Sequence, residues 1–149
     1  MFHFGSLSMT AEPAKTTTLK ALKHAKSNGL LITFDPNLRE SLWNSLADAK
    51  EAINEGLAYA DILKVSREEL VFLTGKEDPG EGTLQLIRAF DIPLIFVTLG
   101  ERGCFTATCM RLARCQPTRF TWSIRLERAM PFSARQSAKS WKSPAALKG

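Results

Sequence analysis

Leu30-Leu31-Ile32-Thr33-Phe34-Asp35-Pro36-Asn37-Leu38-Arg39 is the stretch that decides the fold. Its first five residues, Leu30 to Phe34, fit a strand buried on both faces, as in a parallel sheet. Pro36 has no amide donor, so the ladder ends where Asp35 sits. Asp35, Asn37 and Arg39 are then held near the C-terminal end of a strand, the edge at which open α/β sheets bind ligands. A carboxylate, an amide and a guanidinium there can hold polyol hydroxyls and a phosphate. The alternative is a turn with a local Asp–Arg pair.

On either side, helical and strand periods alternate. Phe2-His3-Phe4 reads as a short strand running into a Gly5-Ser6 turn, with His3 a strand residue rather than a ligand. Thr10 is the expected N-cap of a helix through Ala14, Thr18, Ala21, Leu22 and Ala25, which Asn28-Gly29 stops. A loop with Trp43 at its rim leads to a helix through Leu46, Ala49, Ile53 and Leu57, then a strand at Asp61 to Val65. Ser66-Arg67-Glu68-Glu69 has the form of a capping box, and its helix ends at Gly75. Asp78 to Gly82 is expected as an exposed turn before a helix with Leu84, Ile87 and Phe90 inward. Leu94 to Val97 form a second apolar strand, and Leu99-Gly100-Glu101-Arg102-Gly103 follow. This order predicts an α/β fold of three layers, a mainly parallel sheet with helices on both faces.

The totals suit one globular domain: 149 residues, 44% hydrophobic and 23% charged. No apolar run is long enough to cross a bilayer, and the first residues lack the form of a signal peptide. Cys104, Cys109 and Cys115 fit neither a disulfide framework nor a four-ligand zinc site, so a reducing cytoplasm is expected. Charge is uneven. Residues 1–105 hold 11 Lys and Arg against 14 Asp and Glu, whereas residues 106–149 hold 9 against the single acid Glu127. Past Phe105 no period of two or 3.6 is sustained. The expected division is therefore a domain over 1–105 and a basic, poorly ordered tail over 106–149.

With Asp35-Pro36-Asn37-x-Arg39, Leu42-Trp43, Lys64-Val65-Ser66-x-x-Glu69 and Val97-Thr98-Leu99-Gly100-x-x-Gly103 in order, residues 1–105 resemble the PfkB/ribokinase family of carbohydrate kinases, nearest its fructokinase branch. The resemblance implies an incomplete ribokinase-like fold and ATP-dependent transfer of a phosphoryl group to a sugar hydroxyl, with Mg²⁺. It places Arg39 at substrate or transferring phosphate, beside Asp35 and Asn37. It places Lys64, Ser66, Glu69, Thr98, Gly100 and Gly103 at the nucleotide. Glu69 would reach the metal indirectly. The residue types suit the chemistry, since phosphoryl transfer is mostly positioning and charge stabilisation. Read singly, Ser66 and Glu69 are a helix cap, Lys64 is a solvated lysine, and the glycines make a turn.

Two departures qualify the resemblance. The family's Gly-rich sugar site and lid strands would precede Met1. Its catalytic T-G-A-G-D segment, which supplies an anion hole and the base, does not occur in residues 106–149. Codons allowed for Ser123 to Phe132, read from the third base of the first, give D-S-T-G-A-G-D-A-F. A single frameshift after Phe105 would account for the missing segment and for the basic tail. The chain is then expected to be inactive alone, a remnant with at most weak nucleotide binding. An unpaired sheet edge would favour self-association. A tail that binds nucleic acid is the competing account, and would show salt-dependent DNA binding.

Overall fold

The computed structural model describes residues 1–108 and 111–115. Its strands are β1 (Phe2–Phe4), β2 (Ile32–Phe34), β3 (Ile62–Ser66), β4 (Leu94–Thr98), β5 (Cys104–Thr108) and β6 (Arg111–Cys115). Its helices are α1 (Ala14–Ser27), α2 (Leu46–Leu57), α3 (Arg67–Thr74) and α4 (Pro79–Phe90). All six strands form one sheet in chain order, β1 to β4 parallel and β5 and β6 antiparallel. The expected α/β class and mainly parallel sheet are thus present.

The register explains where the core lies. Phe4 is opposite Phe34, Phe34 opposite Leu63, Leu63 opposite Ile95, and Ile95 opposite Ala107. These residues share one sheet face and are buried with Leu22, Ile53, Leu57, Leu70 and Leu86 from all four helices. Same-direction crossovers of one hand put successive helices on the same side of a sheet. The other face carries exposed His3 and Lys64 and half-buried Thr33 and Phe96. A second helical layer is therefore not among the described residues, and β2 is fully buried on one face only. His3 is a strand residue, its Nδ1 2.9 Å from Thr33 Oγ1 on the neighbouring strand.

The Phe4 and Phe34 rings stack, with centroids 4.2 Å apart and planes 7° from parallel. Burying a ring of this size stabilises the fold by about 2–3 kcal/mol. Gly56 on α2 makes room for the pair: a Cβ there would lie 3.0 Å from Phe34 Cζ and 3.1 Å from Phe4 Cε2.

Local chemistry moves several expected boundaries. β2 begins at Ile32 rather than Leu30, because the Leu30 amide closes α1 by donating to Ala25 O at 3.0 Å. Leu30 and Leu31 stay exposed. Thr10 does not cap α1. Its hydroxyl donates to Leu7 O at 3.0 Å, closing the 3-10 turn Ser6–Met9, and α1 starts at Ala14. The expected turn at Asp78 to Gly82 is the start of α4 instead. Asp78 accepts from the Glu81 amide at 2.9 Å, and Pro79 takes the first helical position, where its missing donor costs nothing. The buried face of α4 is Gly82, Thr83, Leu86 and Ile87, with Leu84 and Phe90 half-buried. The Ser66 capping box and the left-handed stop at Gly75 are as expected. Trp43 packs against the core, half-buried.

The sheet also continues beyond Phe105. β5 crosses the expected boundary, with Ala107 buried beneath the helices, and β6 pairs with β5. The remainder of the expected tail, residues 109–110 with Cys109 and residues 116–149, lies outside the described residues, as does its expected disorder. No helix among the described residues is long and apolar enough to cross a membrane.

Candidate functional site

β1 to β4 run the same way, so the segments after them meet at one edge of the sheet. Because Phe34 is opposite Leu63, Asp35 comes next to Lys64. Alternation puts Lys64 and Ser66 on the face away from the core, with Thr98 opposite Ser66. Lys64 Nζ lies 2.7 Å from Asp35 Oδ2. The two side chains are 47% and 27% exposed, and a pair this wet contributes at most about 1 kcal/mol. Asp35 Oδ1 is buried and has no hydrogen-bond partner.

The segment beyond Asp35 is held from both sides. On the β1 side, Ser6 donates to Pro36 O twice, through its amide at 3.1 Å and its hydroxyl at 2.6 Å. On the β3 side, the Leu38 amide donates to Glu69 Oε1 at 2.7 Å. Glu69 Oε2 accepts from the Ser66 amide at 2.7 Å, and Ser66 Oγ accepts from the Glu69 amide at 3.1 Å, which completes the capping box of α3. Between these ties Asn37 has a φ of +46°, a left-handed conformation that asparagine tolerates better than most residues. Leu38 packs on the core, while Asn37 and Arg39 are exposed.

Two clefts flank this segment. One, of about 280 Å³, is lined by Asn37, Leu38, Glu40, Lys64, Ser66, Glu68, Glu69 and Phe72. The other, of about 500 Å³, lies toward β1 and includes Phe2, His3, Gly5, Ser8, Thr18, Asp35 and Asn37. Hydrogen bonds from its own backbone amide, then from the Ser66 hydroxyl, hold the Glu68 carboxyl below its usual pKa; Arg67 and Arg102 add smaller pulls.

Among the sequence-predicted residues, Asp35, Asn37, Lys64, Ser66 and Glu69 are brought together around the clefts. Arg39 is exposed, lines neither cleft, and its side chain makes no hydrogen bond or ion pair with the described residues. Thr98 adjoins Ser66, its hydroxyl 3.4 Å from Val65 O. Gly100 and Gly103 shape the turn after β4, at φ values of +60° and +88°, outside both clefts. For a metal the fit is only indirect. Both Glu69 oxygens already accept backbone amides, and no group of three His, Cys, Asp or Glu among the described residues could hold an ion. Each carboxylate oxygen keeps a second lone pair, enough for a metal-bound water.

Sequence reasoning missed Ser6, Leu38 and Glu68. Ser6 had a signal, a small polar residue directly after a strand that ends at the same edge. Leu38 had none, because its contribution is a backbone amide.

The family model described as pfkB family carbohydrate kinase matches residues 1–120. Fructokinase-1 of Zea mays is 43% identical over 104 residues, which are 70% of this chain and 32% of that protein. The chain therefore spans about a third of the length of most of these curated relatives. Fructokinase from Vibrio cholerae O395, in its fructose, ADP and calcium ion bound form, superposes with a TM-score of 0.71 at 37% identity, over 76% of this chain and 37% of that one. Aminoimidazole riboside kinase from Salmonella enterica, complexed with aminoimidazole riboside and an ATP analog, has a TM-score of 0.72 at 27% identity, over 80% of this chain and 40% of that one. With a family match over most of its length and the parallel sheet that these kinases share, the chain belongs to the pfkB family of carbohydrate kinases.

Proposed function

We propose that this chain carries the phosphate-facing edge of a fructokinase-like kinase, which transfers the γ-phosphoryl group of ATP to a sugar hydroxyl. The observation that carries the reading is the convergence of Asp35, Asn37, Lys64, Ser66 and Glu69 on adjoining clefts at the C-terminal edge of parallel strands. Fructose and ADP are the ligands of the Vibrio cholerae relative. On this reading Asp35 and Asn37 face the sugar, and Arg39 swings onto the transferring phosphate. Lys64 leaves Asp35 for a nucleotide phosphate. Thr98, Gly100 and Gly103 bring backbone close to the nucleotide, since glycine offers no Cβ to obstruct it. Bound with ATP, Mg²⁺ would neutralise charge on the phosphoryl oxygens. Glu69 would hold it only through a water, since both its oxygens already accept backbone amides.

The 149-residue polypeptide by itself is a binder rather than a catalyst. It contains no T-G-A-G-D string, so it lacks the anion hole and base that family resemblance calls for. Loss of those groups removes several kcal/mol of transition-state stabilisation. We assign residues 106–149 to a shifted reading frame, which the nucleotide sequence of the gene tests directly. Cytoplasmic placement and self-association through the sheet edge belong to the same proposal. Calorimetric titration with MgATP, then a coupled assay with fructose, tests the function. Weak nucleotide binding without turnover is expected. Turnover by the pure chain would overturn its inactivity, and absence of any nucleotide binding would overturn the assignment of Lys64 and Ser66.

A further inference from the structure

We infer that Glu69 is a positioning residue, whose carboxylate clasps segment 36–39 to the start of α3 and so fixes how Asn37 and Arg39 are presented. The inference builds on the reading of that segment as the sugar and phosphate side of the site. A capping box needs only one side-chain oxygen from its glutamate, and Oε2 supplies it to the Ser66 amide. Oε1 does something a cap does not require. It reaches across to the Leu38 amide, in the loop after a different strand, at 2.7 Å. Both contacts are at the short end for N–H donors to a carboxylate, the stronger kind of hydrogen bond.

The consequence follows from what flanks Leu38. Its side chain packs on the core, and with its amide held it is fixed at both ends. Pro36 is fixed by Ser6 on the other side. Asn37 lies between two anchored residues in a left-handed conformation, and Arg39 leaves the second anchor toward solvent. Only a carboxylate satisfies both donors. The amide of glutamine has one acceptor oxygen, and its NH₂ would face an N–H.

Amide hydrogen exchange by NMR on the 149-residue chain tests this. In the unmodified protein the Leu38 amide, though in a loop, exchanges at least about tenfold slower than its intrinsic rate, as loss of a hydrogen bond to a charged group implies. Glu69→Gln preserves shape and one acceptor. It removes most of that protection and shifts the Asn37 signals away from left-handed values, while Leu63 and Val65 change by less than about twofold. Ser66→Ala, which removes the hydroxyl but leaves both carboxylate contacts, keeps Leu38 protected. A Leu38 amide that exchanges freely in the unmodified protein overturns the clasp, whether or not the variant folds. So does protection that survives in Glu69→Gln, or a uniform loss across Leu38 and β3. None of these readouts needs sugar or nucleotide, so failure of the chain to bind MgATP would sink the proposed function and leave the clasp standing.

Discussion

The segment after β2 and the turn after β4 lie at the same edge of one sheet but keep their shapes by different means. Residues 35–39 are held from outside, by side chains that arrive from the 3-10 turn after β1, from β3 and from α3. Residues 99–103 are held from within. Leu99 donates to Gly103 O at 2.8 Å, Arg102 to Leu99 O at 3.2 Å and Gly103 to Gly100 O at 3.1 Å, all backbone to backbone. The first arrangement leaves Asn37 and Arg39 exposed and directed, as suits a ligand recognised by its hydroxyls and charge. The second presents mainly backbone with two glycines, as suits a flat group that must come close. The contrast is therefore between a loop whose shape is imposed by its neighbours and one whose shape its own residues dictate.

Four substitutions sharpen or break that contrast, each read as a shift in the urea midpoint of unfolding. Glu69→Ala should do most damage, lowering stability by about 3 kcal/mol, because it strips the partner from two amides at once. A loss under about 1 kcal/mol would mean that segment 36–39 holds itself. Gly103→Ala should cost about 2 kcal/mol, because a φ of +88° with a ψ of −138° is close to glycine-only backbone. If alanine is tolerated there, the turn is not self-determined. Ser6→Ala should cost about 1 kcal/mol, since the Ser6 amide still serves Pro36 O when the hydroxyl is gone. Lys64→Met should change stability by less than about 1 kcal/mol, as befits a half-exposed pair. The same variant should weaken MgATP binding by about tenfold, as expected for a lost charge-assisted contact, and unchanged affinity would remove Lys64 from the nucleotide site.

The parallel class was legible because it rests on local signals. Apolar runs at Phe2, Ile32, Ile62 and Leu94, with helical periods between them, fix strand and helix in alternation. Ser66 and Glu69 announced their cap by spacing alone. What escaped was settled by competition or by distance. Thr10 and Asp78 both look like caps or turns, and which of them caps depends on a hydroxyl choosing Leu7 O and a carboxylate choosing the Glu81 amide. Residues after Phe105 sustain no period, yet β5 forms because β4 offers it an edge to pair with. In the site, Asp35 and Lys64 were each legible, but their contact was not, being set by the register of β2 on β3. The Leu38 amide could not be found at all, since every residue but proline carries one.

Gly56 has a bearing on this edge although it lines neither cleft. The two rings it admits belong to Phe4 and Phe34, and the very next residues are Gly5 and Asp35. One added methyl at position 56 would push on both aromatics from below. The thrust would pass along the chain to Asp35 and the segment proposed to meet the ligand. An alanine in the last turn of α2 is thus a remote way to misalign the proposed site, and the bare Cα at that point works as the seat against which the whole rim is levelled.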